Sequence, residues 1–236
     1  MVCSLIVRPF SSKGRWRLSS ALASRCSLFN IHIVFMNSIH QRNGAQGITE
    51  VDCIRLFSGF SPDAAAANFL REMKRPLPDN FIRDQIAGSM DLFRQRLRPL
   101  MKDTILTLSE NKVPMCVASG SPRDRVLLCL EVGGMAQCFA PETVFTRELV
   151  SRGKPAPDLF LYTAEKMGVS PSRCIVVEDS GAGIEAAKAA GMDCIGFLGG
   201  GHAKYDWYQS KILSYGIPVG NTQEDILQLL KSGDKK

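Results

Sequence analysis

Three short polar strings hold the side chains of this 236-residue chain best suited to chemistry. In Val117-Ala118-Ser119-Gly120-Ser121 a hydroxyl ends an apolar run, and Pro122 then opens a helical stretch. Ser119 and the backbone N–H groups around it, Gly120 included, can bond a phosphate oxygen. A serine in this place can equally be no more than a helix cap. In Gly153-Lys154-Pro155-Ala156-Pro157-Asp158 two prolines restrict the backbone and present Lys154 just before a helix. A lysine ammonium is a compact point charge that can neutralise a phosphoryl group, or it can simply be solvated in a turn. The third string, Val176-Val177-Glu178-Asp179-Ser180-Gly181-Ala182-Gly183, places two acids directly after an apolar run. Adjacent buried carboxylates are costly unless a cation or donors meet them. Their hard oxygens suit magnesium, which takes one or two carboxylates together with water and phosphate. The bland alternative is an acidic helix cap.

These strings must be held by the elements around them. Beyond residue 100 the chain alternates strand and helix. Val113–Ala118, Cys174–Val177 and Asp193–Phe197 read as buried strands, and Thr143–Phe145 as a short extended piece. Asp103–Asn111, Arg123–Val132, Pro157–Met167, Gly183–Ala190 and Leu227–Lys231 read as helices, several of them ended by glycine. Continuous apolar strands separated by helices predict a parallel sheet covered on both faces, with ligands outside the carboxyl ends of its strands. From Ile48 to Arg98 the spacing is helical. Ala64–Met73 is preceded by the start signal Ser61-Pro62-Asp63, and Phe81–Leu97 carries a stripe of Phe81, Ile82, Ile86, Met90, Phe93 and Leu97. The predicted organisation is an atypical segment over 1–43, a small α-helical cap over 44–99 and an α/β, Rossmann-like core over 100–236.

Taken in order, the three strings resemble motifs two, three and four of the haloacid dehalogenase superfamily. The likeness is to its β-phosphoglucomutase-like and sugar-phosphatase branch, whose members read G-K-P-x-P-D and V-E-D-S-x-x-G. It runs from about Gly47 to the C-terminus. It implies that Ile48–Arg98 is the family's helical cap and that Gly59-Phe60-Ser61 is its substrate-facing loop. It also implies that Ser119 holds the transferring phosphoryl group, that Lys154 neutralises it and orients the nucleophile, and that Asp179 with Glu178 holds magnesium. The activity implied is hydrolysis of small phosphorylated metabolites, sugar phosphates foremost, rather than dehalogenation or phosphomutase action.

One part of the family pattern is missing. Its first strand ends in D-x-D-G, where the first Asp attacks phosphorus and the second acts as general acid and base. This chain contains no D-x-D. The place expected from the cap, Leu18–Ser24, offers only Ser, Ala and Leu, and Asn37 after the strand-like Ile31–Met36 is too near the cap and a poor nucleophile. No residue is assigned as nucleophile. The alternative function is a non-catalytic module that binds phosphate esters or a protein partner.

Composition narrows the remaining classes. The net charge of +6 arises at the N-terminus, where residues 1–49 hold six basic residues and no acid; the other 23 of 29 basic residues balance 23 acidic ones. That distribution predicts no basic face for nucleic acid, and no apolar run is long enough to span a membrane. Eight cysteines without a C-x-x-C pair, several inside apolar runs, read as buried thiols of a reducing compartment, hence a cytoplasmic protein. The acid-free, Arg- and Ser-rich start supports a second reading, an organellar transit peptide, and a third, a start foreign to this fold. His32, His40 and His202 show no metal-ligand spacing and read as unrelated surface or core histidines.

Overall fold

The computed structural model describes residues 4–7, 48–60 and 62–232. The expectations placed on Leu18–Ser24, Ile31–Met36, Asn37, His32, His40, Cys3, Cys26 and Ser61 lie outside the described residues, as do the side chains of Ile82 and Ile86.

Among the described residues six strands form one sheet: β1 (Ser4–Val7), β2 (Met115–Ser119), β3 (Val144–Thr146), β4 (Ile175–Glu178), β5 (Asp193–Phe197) and β6 (Val219–Gly220), in spatial order β3-β2-β1-β4-β5-β6. Among the described residues nine α-helices accompany them: α1 (Glu50–Phe57), α2 (Pro62–Met73), α3 (Phe81–Arg96), α4 (Lys102–Glu110), α5 (Arg123–Val132), α6 (Asp158–Lys166), α7 (Gly181–Ala189), α8 (Asp206–Leu213) and α9 (Gln223–Ser232). Every residue of β2 and of β4 is buried. Their side chains alternate between two cores, as the pleat requires. Ile6, Cys116, Ala118, Val176 and Cys194 point to the side covered by α6, α7 and α8. Leu5, Val7, Met115, Val117, Ile175, Val177 and Ile195 point to the side covered by α4, α5 and α9. Two buried faces explain why the strands read as unbroken apolar runs.

The sheet is parallel-dominant, as the Rossmann-like reading expects, with one antiparallel strand added. β2–β3, β4–β5 and β5–β6 pair in parallel, whereas β1 is antiparallel to both β2 and β4. β1 also comes from the segment that the sequence set apart as atypical. Three consecutive apolar residues, Leu5–Val7, are buried at 3–5% exposure, enough to fill a central slot between two buried strands. Direction is not encoded in so short a run, because reversing it keeps the same alternation of faces.

Helices α1–α3 carry a small cluster of their own, with Ile48, Cys53, Leu56, Phe69 and Phe81 buried and Phe57, Met73 and Leu77 packed against them. A capping box starts α1: the Thr49 hydroxyl accepts from the Asp52 N–H, and the Asp52 carboxylate accepts from the Thr49 N–H. α3 leans on the core through Phe93, whose ring lies 4.9 Å from the Arg125 guanidinium.

Candidate functional site

The register sets the rim. Leu5 of β1 faces Val117 on one side and Val177 on the other, so Ser119 and Asp179 each stand two residues beyond the same level. Both are buried, at 3% and 4% exposure. The loop after β3 brings Lys154 to this rim, and its peptide bond to Pro155 is cis.

Lys154 is buried and its Nζ lies 3.1 Å from Glu178 Oε2, 3.4 Å from the Ala118 carbonyl oxygen and 4.9 Å from the centre of the Phe160 ring. The ammonium therefore bridges the ends of β2 and β4. The other Glu178 oxygen, Oε1, accepts from the Ser180 hydroxyl at 2.6 Å and from the Ser180 N–H at 3.3 Å. The Ser180 oxygen in turn accepts from the Gly183 N–H at 3.1 Å and caps α7. A Cβ on Gly183 would stand 2.1 Å from the Glu178 carboxyl carbon, so any larger residue there would displace that side chain. Glu178 is thus the pivot of the site, held at both oxygens.

Asp179 has a different environment. Its backbone carbonyl accepts from the Tyr208 hydroxyl at 2.6 Å and lies 3.2 Å from His202 Nε2, while its Oδ2 is 3.4 Å from the same ring nitrogen. Burial, and next the Glu178 charge, push its carboxyl up to about 7, with Lys154 acting the other way. Burial pushes His202 down to about 4. The negative charge of the acidic pair is balanced only in part by Lys154, the condition under which a cation is attracted. Carboxylate oxygens at this rim fit magnesium in kind, with Asp179 the less engaged of the two acids. Among the described residues no group of three His, Cys, Asp or Glu side chains could hold a metal, so water and phosphate would have to complete its shell.

Ser119 accepts from the Ser121 N–H at 3.2 Å, which turns the backbone after β2. A Cβ on Gly120 would lie 3.9 Å from the Phe60 carbonyl oxygen, so the loop after β2 faces the turn that follows α1. The structure thus brings Ser119, Gly120, Lys154, Glu178 and Asp179 to one end of the sheet. His202 and Tyr208 were missed as parts of this arrangement. His202 follows Leu198-Gly199-Gly200-Gly201 and lies 23 residues from Asp179, so no short spacing could have joined them. Burial pushes the thiols of Cys53, Cys116 and Cys194 up to about 12, which makes them packing groups rather than nucleophiles.

A doubly covered α/β sheet with its polar residues gathered at strand ends is the class defined by this fold. A family model described as haloacid dehalogenase-like hydrolase matches residues 50–191, and the chain belongs to that family. It is 33% identical over 118 residues to the fructose-1-phosphate phosphatase of Escherichia coli K12, a match covering 50% of this chain and 62% of that protein. It is 33% identical over 145 residues to validoxylamine A 7'-phosphate phosphatase of Streptomyces hygroscopicus, covering 61% of each. The chain thus spans less than two thirds of the length of these relatives. Among solved structures, a HAD family hydrolase of Deinococcus radiodurans with bound phosphate and sodium superposes with a TM-score of 0.62 at 25% identity, covering 88% of this chain and 91% of that one. A hydrolase of Pseudomonas syringae superposes with a TM-score of 0.72 at 22% identity over 86% of this chain and 92% of that one, a likeness of fold.

Proposed function

We propose that this chain has the site of a magnesium-dependent phosphatase for small phosphorylated metabolites, with sugar phosphates the leading class. The observation that supports it most is the buried Lys154–Glu178 contact of 3.1 Å, beside Asp179 and on the rim that carries Ser119. On this reading Ser119 and the Gly120 N–H bond the phosphoryl oxygens and Lys154 offsets their charge. Asp179, with Glu178 beside it, would hold magnesium, which supplies further positive charge to a phosphoryl oxygen when bound. The relatives' activities, on fructose 1-phosphate and validoxylamine A 7'-phosphate, favour a polyhydroxylated substrate of modest size. Helices within 44–99 serve as its cap. The thiol environment favours the cytoplasm, and no helix of the described residues is long and apolar enough to cross a membrane.

One observation favours a second reading, phosphate-ester binding without turnover. β1 runs antiparallel, so Ser4 stands at the rim beside Ala118 while Val7 ends at the far side beside Met115 and Ile175. The end of this strand supplies no carboxylate to phosphorus, and the described rim residues offer no other nucleophile. Losing the attacking group and the acid–base group together costs several kcal/mol of barrier, about tenfold in rate for each 1.4 kcal/mol.

The test is hydrolysis of an aryl phosphate with magnesium, with and without EDTA, beside calorimetric titration with inorganic phosphate. EDTA-sensitive turnover supports the phosphatase, and magnesium-dependent binding without turnover supports the second reading. Absence of both overturns the site.

A further inference from the structure

Gly196 is level with Glu178 in the parallel β4–β5 pair, so the chain that leaves β5 emerges at the rim. It continues as Leu198-Gly199-Gly200-Gly201-His202 and returns to Asp179. Two of the glycines permit this at close quarters. A Cβ on Gly199 would fall 2.3 Å from the Phe197 ring and 2.7 Å from the Asn221 carbonyl oxygen. One on Gly200 would fall 2.5 Å from His202 Cε1 and 2.8 Å from its Nδ1. The His202 ring is buried at 0% exposure and lies edge-on to Tyr208, 4.5 Å between centroids. Its Nε2 is 3.2 Å from the Asp179 carbonyl oxygen and 3.4 Å from Asp179 Oδ2. A carbonyl oxygen only accepts, so Nε2 carries the ring proton. One N–H thus faces both the backbone and the side chain of Asp179, and the Tyr208 hydroxyl adds a second donor to the same carbonyl at 2.6 Å.

We propose that His202 is a positioning residue that fixes the rotamer of the Asp179 carboxylate for a divalent cation. The glycine run and Tyr208 hold the imidazole, and the imidazole holds one carboxylate oxygen and the carbonyl of the same residue. Partners of this kind behind a metal-binding carboxylate are worth about 10–100-fold in metal affinity. The consequence is discrimination between ions. Magnesium demands near-ideal octahedral geometry, whereas calcium accepts irregular oxygen shells. A carboxylate held in one rotamer serves the stricter ion, and a loosened one penalises magnesium more than calcium. The proposal deepens the functional reading given above and rests on it for the cation, not for the contact between His202 and Asp179.

The experiment is calorimetric titration of the full chain with magnesium chloride and, separately, with calcium chloride. Wild type is compared with His202→Phe, His202→Gln and Gly200→Ala. His202→Phe keeps a ring of similar shape and removes the donor. It is expected to lower magnesium affinity by about 10–100-fold and calcium affinity by less, so that the ratio of the two falls. His202→Gln restores an N–H donor and is expected to recover most of that ratio, which a role in packing alone would not predict. Equal losses for both ions, no loss in a folded His202→Phe, or a Gln variant no better than Phe would overturn the proposal. If His202→Phe does not fold, Gly200→Ala decides by the same ratio, because it keeps the histidine and displaces its ring. A wild type that binds neither ion defeats the functional reading. The bracket is then judged by nitrogen-15 spectra of the histidine rings, with the His202 signal assigned by its loss in His202→Gln. A ring proton on Nε2 is expected, and one on Nδ1 overturns the contact itself.

Discussion

His202 Nε2 lies 3.4 Å from Asp179 Oδ2, and the two buried groups are shifted in opposite directions, to about 4 and about 7. His202 is depressed below its ordinary 6.5, so its contribution to stability is present above that value and is lost as pH falls through about 4. Asp179 is raised above 3.8, so its contribution is present below that value and is lost as pH rises through about 7. Between about 4 and 6.5 unfolding takes up a proton at His202 and releases one at Asp179, and the slopes cancel.

Removing the histidine should expose the other slope. In metal-free buffer with EDTA, His202→Gln is expected to lose stability as pH rises from 4.5 to 6, by up to about 1.4 kcal/mol per pH unit relative to wild type. Urea unfolding at a series of pH values measures this. An unchanged slope would show that the two groups do not titrate as described.

Lys154→Met takes the ammonium away from buried Glu178. The expected loss is about 3–5 kcal/mol of unfolding free energy, because a buried carboxylate stripped of its counter-charge is more costly than no pair at all. Adding Glu178→Gln should recover part of that loss. Chemical denaturation of both variants checks the sign of the recovery.

Gly183→Ala forces the Glu178 carboxylate to move, since the three atoms nearest the new methyl all belong to that side chain. A destabilisation of about 1–3 kcal/mol is expected from overpacking. Phosphate affinity should fall with it, read by calorimetry in magnesium.

Magnesium at about ten times its dissociation constant should add about 1.4 kcal/mol to stability, and EDTA should remove it. Asp179→Asn should abolish the magnesium response while leaving a folded protein. Thermal melts with calcium and magnesium compared against EDTA provide the measurement.

Much of the fold was legible because its strands are buried on both faces. Arg123–Val132 and Asp193–Phe197 were read with the bounds the structure gives, and Pro62 does open its helix. The three polar strings were legible for the same reason, each lying directly beyond or between strongly apolar elements. Tertiary matters were not. α8 and β6 have weak local signals: α8 carries Asp206, Gln209, Ser210 and Lys211 among its apolar residues, and β6 has only two residues. Tyr208 reaches Asp179 from 29 positions away, a contact that no periodicity announces. The direction of β1 was equally hidden, since Leu5-Ile6-Val7 reads the same from either end.

That central strand has a bearing on how the chain could be processed. A cut anywhere between Val7 and Thr49 would detach Ser4–Val7 from the body covalently, leaving β2 and β4 with facing, unpaired inner edges. Proteolytic trimming of the first forty-odd residues would then split the sheet into β3-β2 and β4-β5-β6, unless the excised peptide stayed threaded between them. Leu5 and Val7 fill one core and Ile6 the other, so losing this strand would take apolar contact from both faces of the sheet at once.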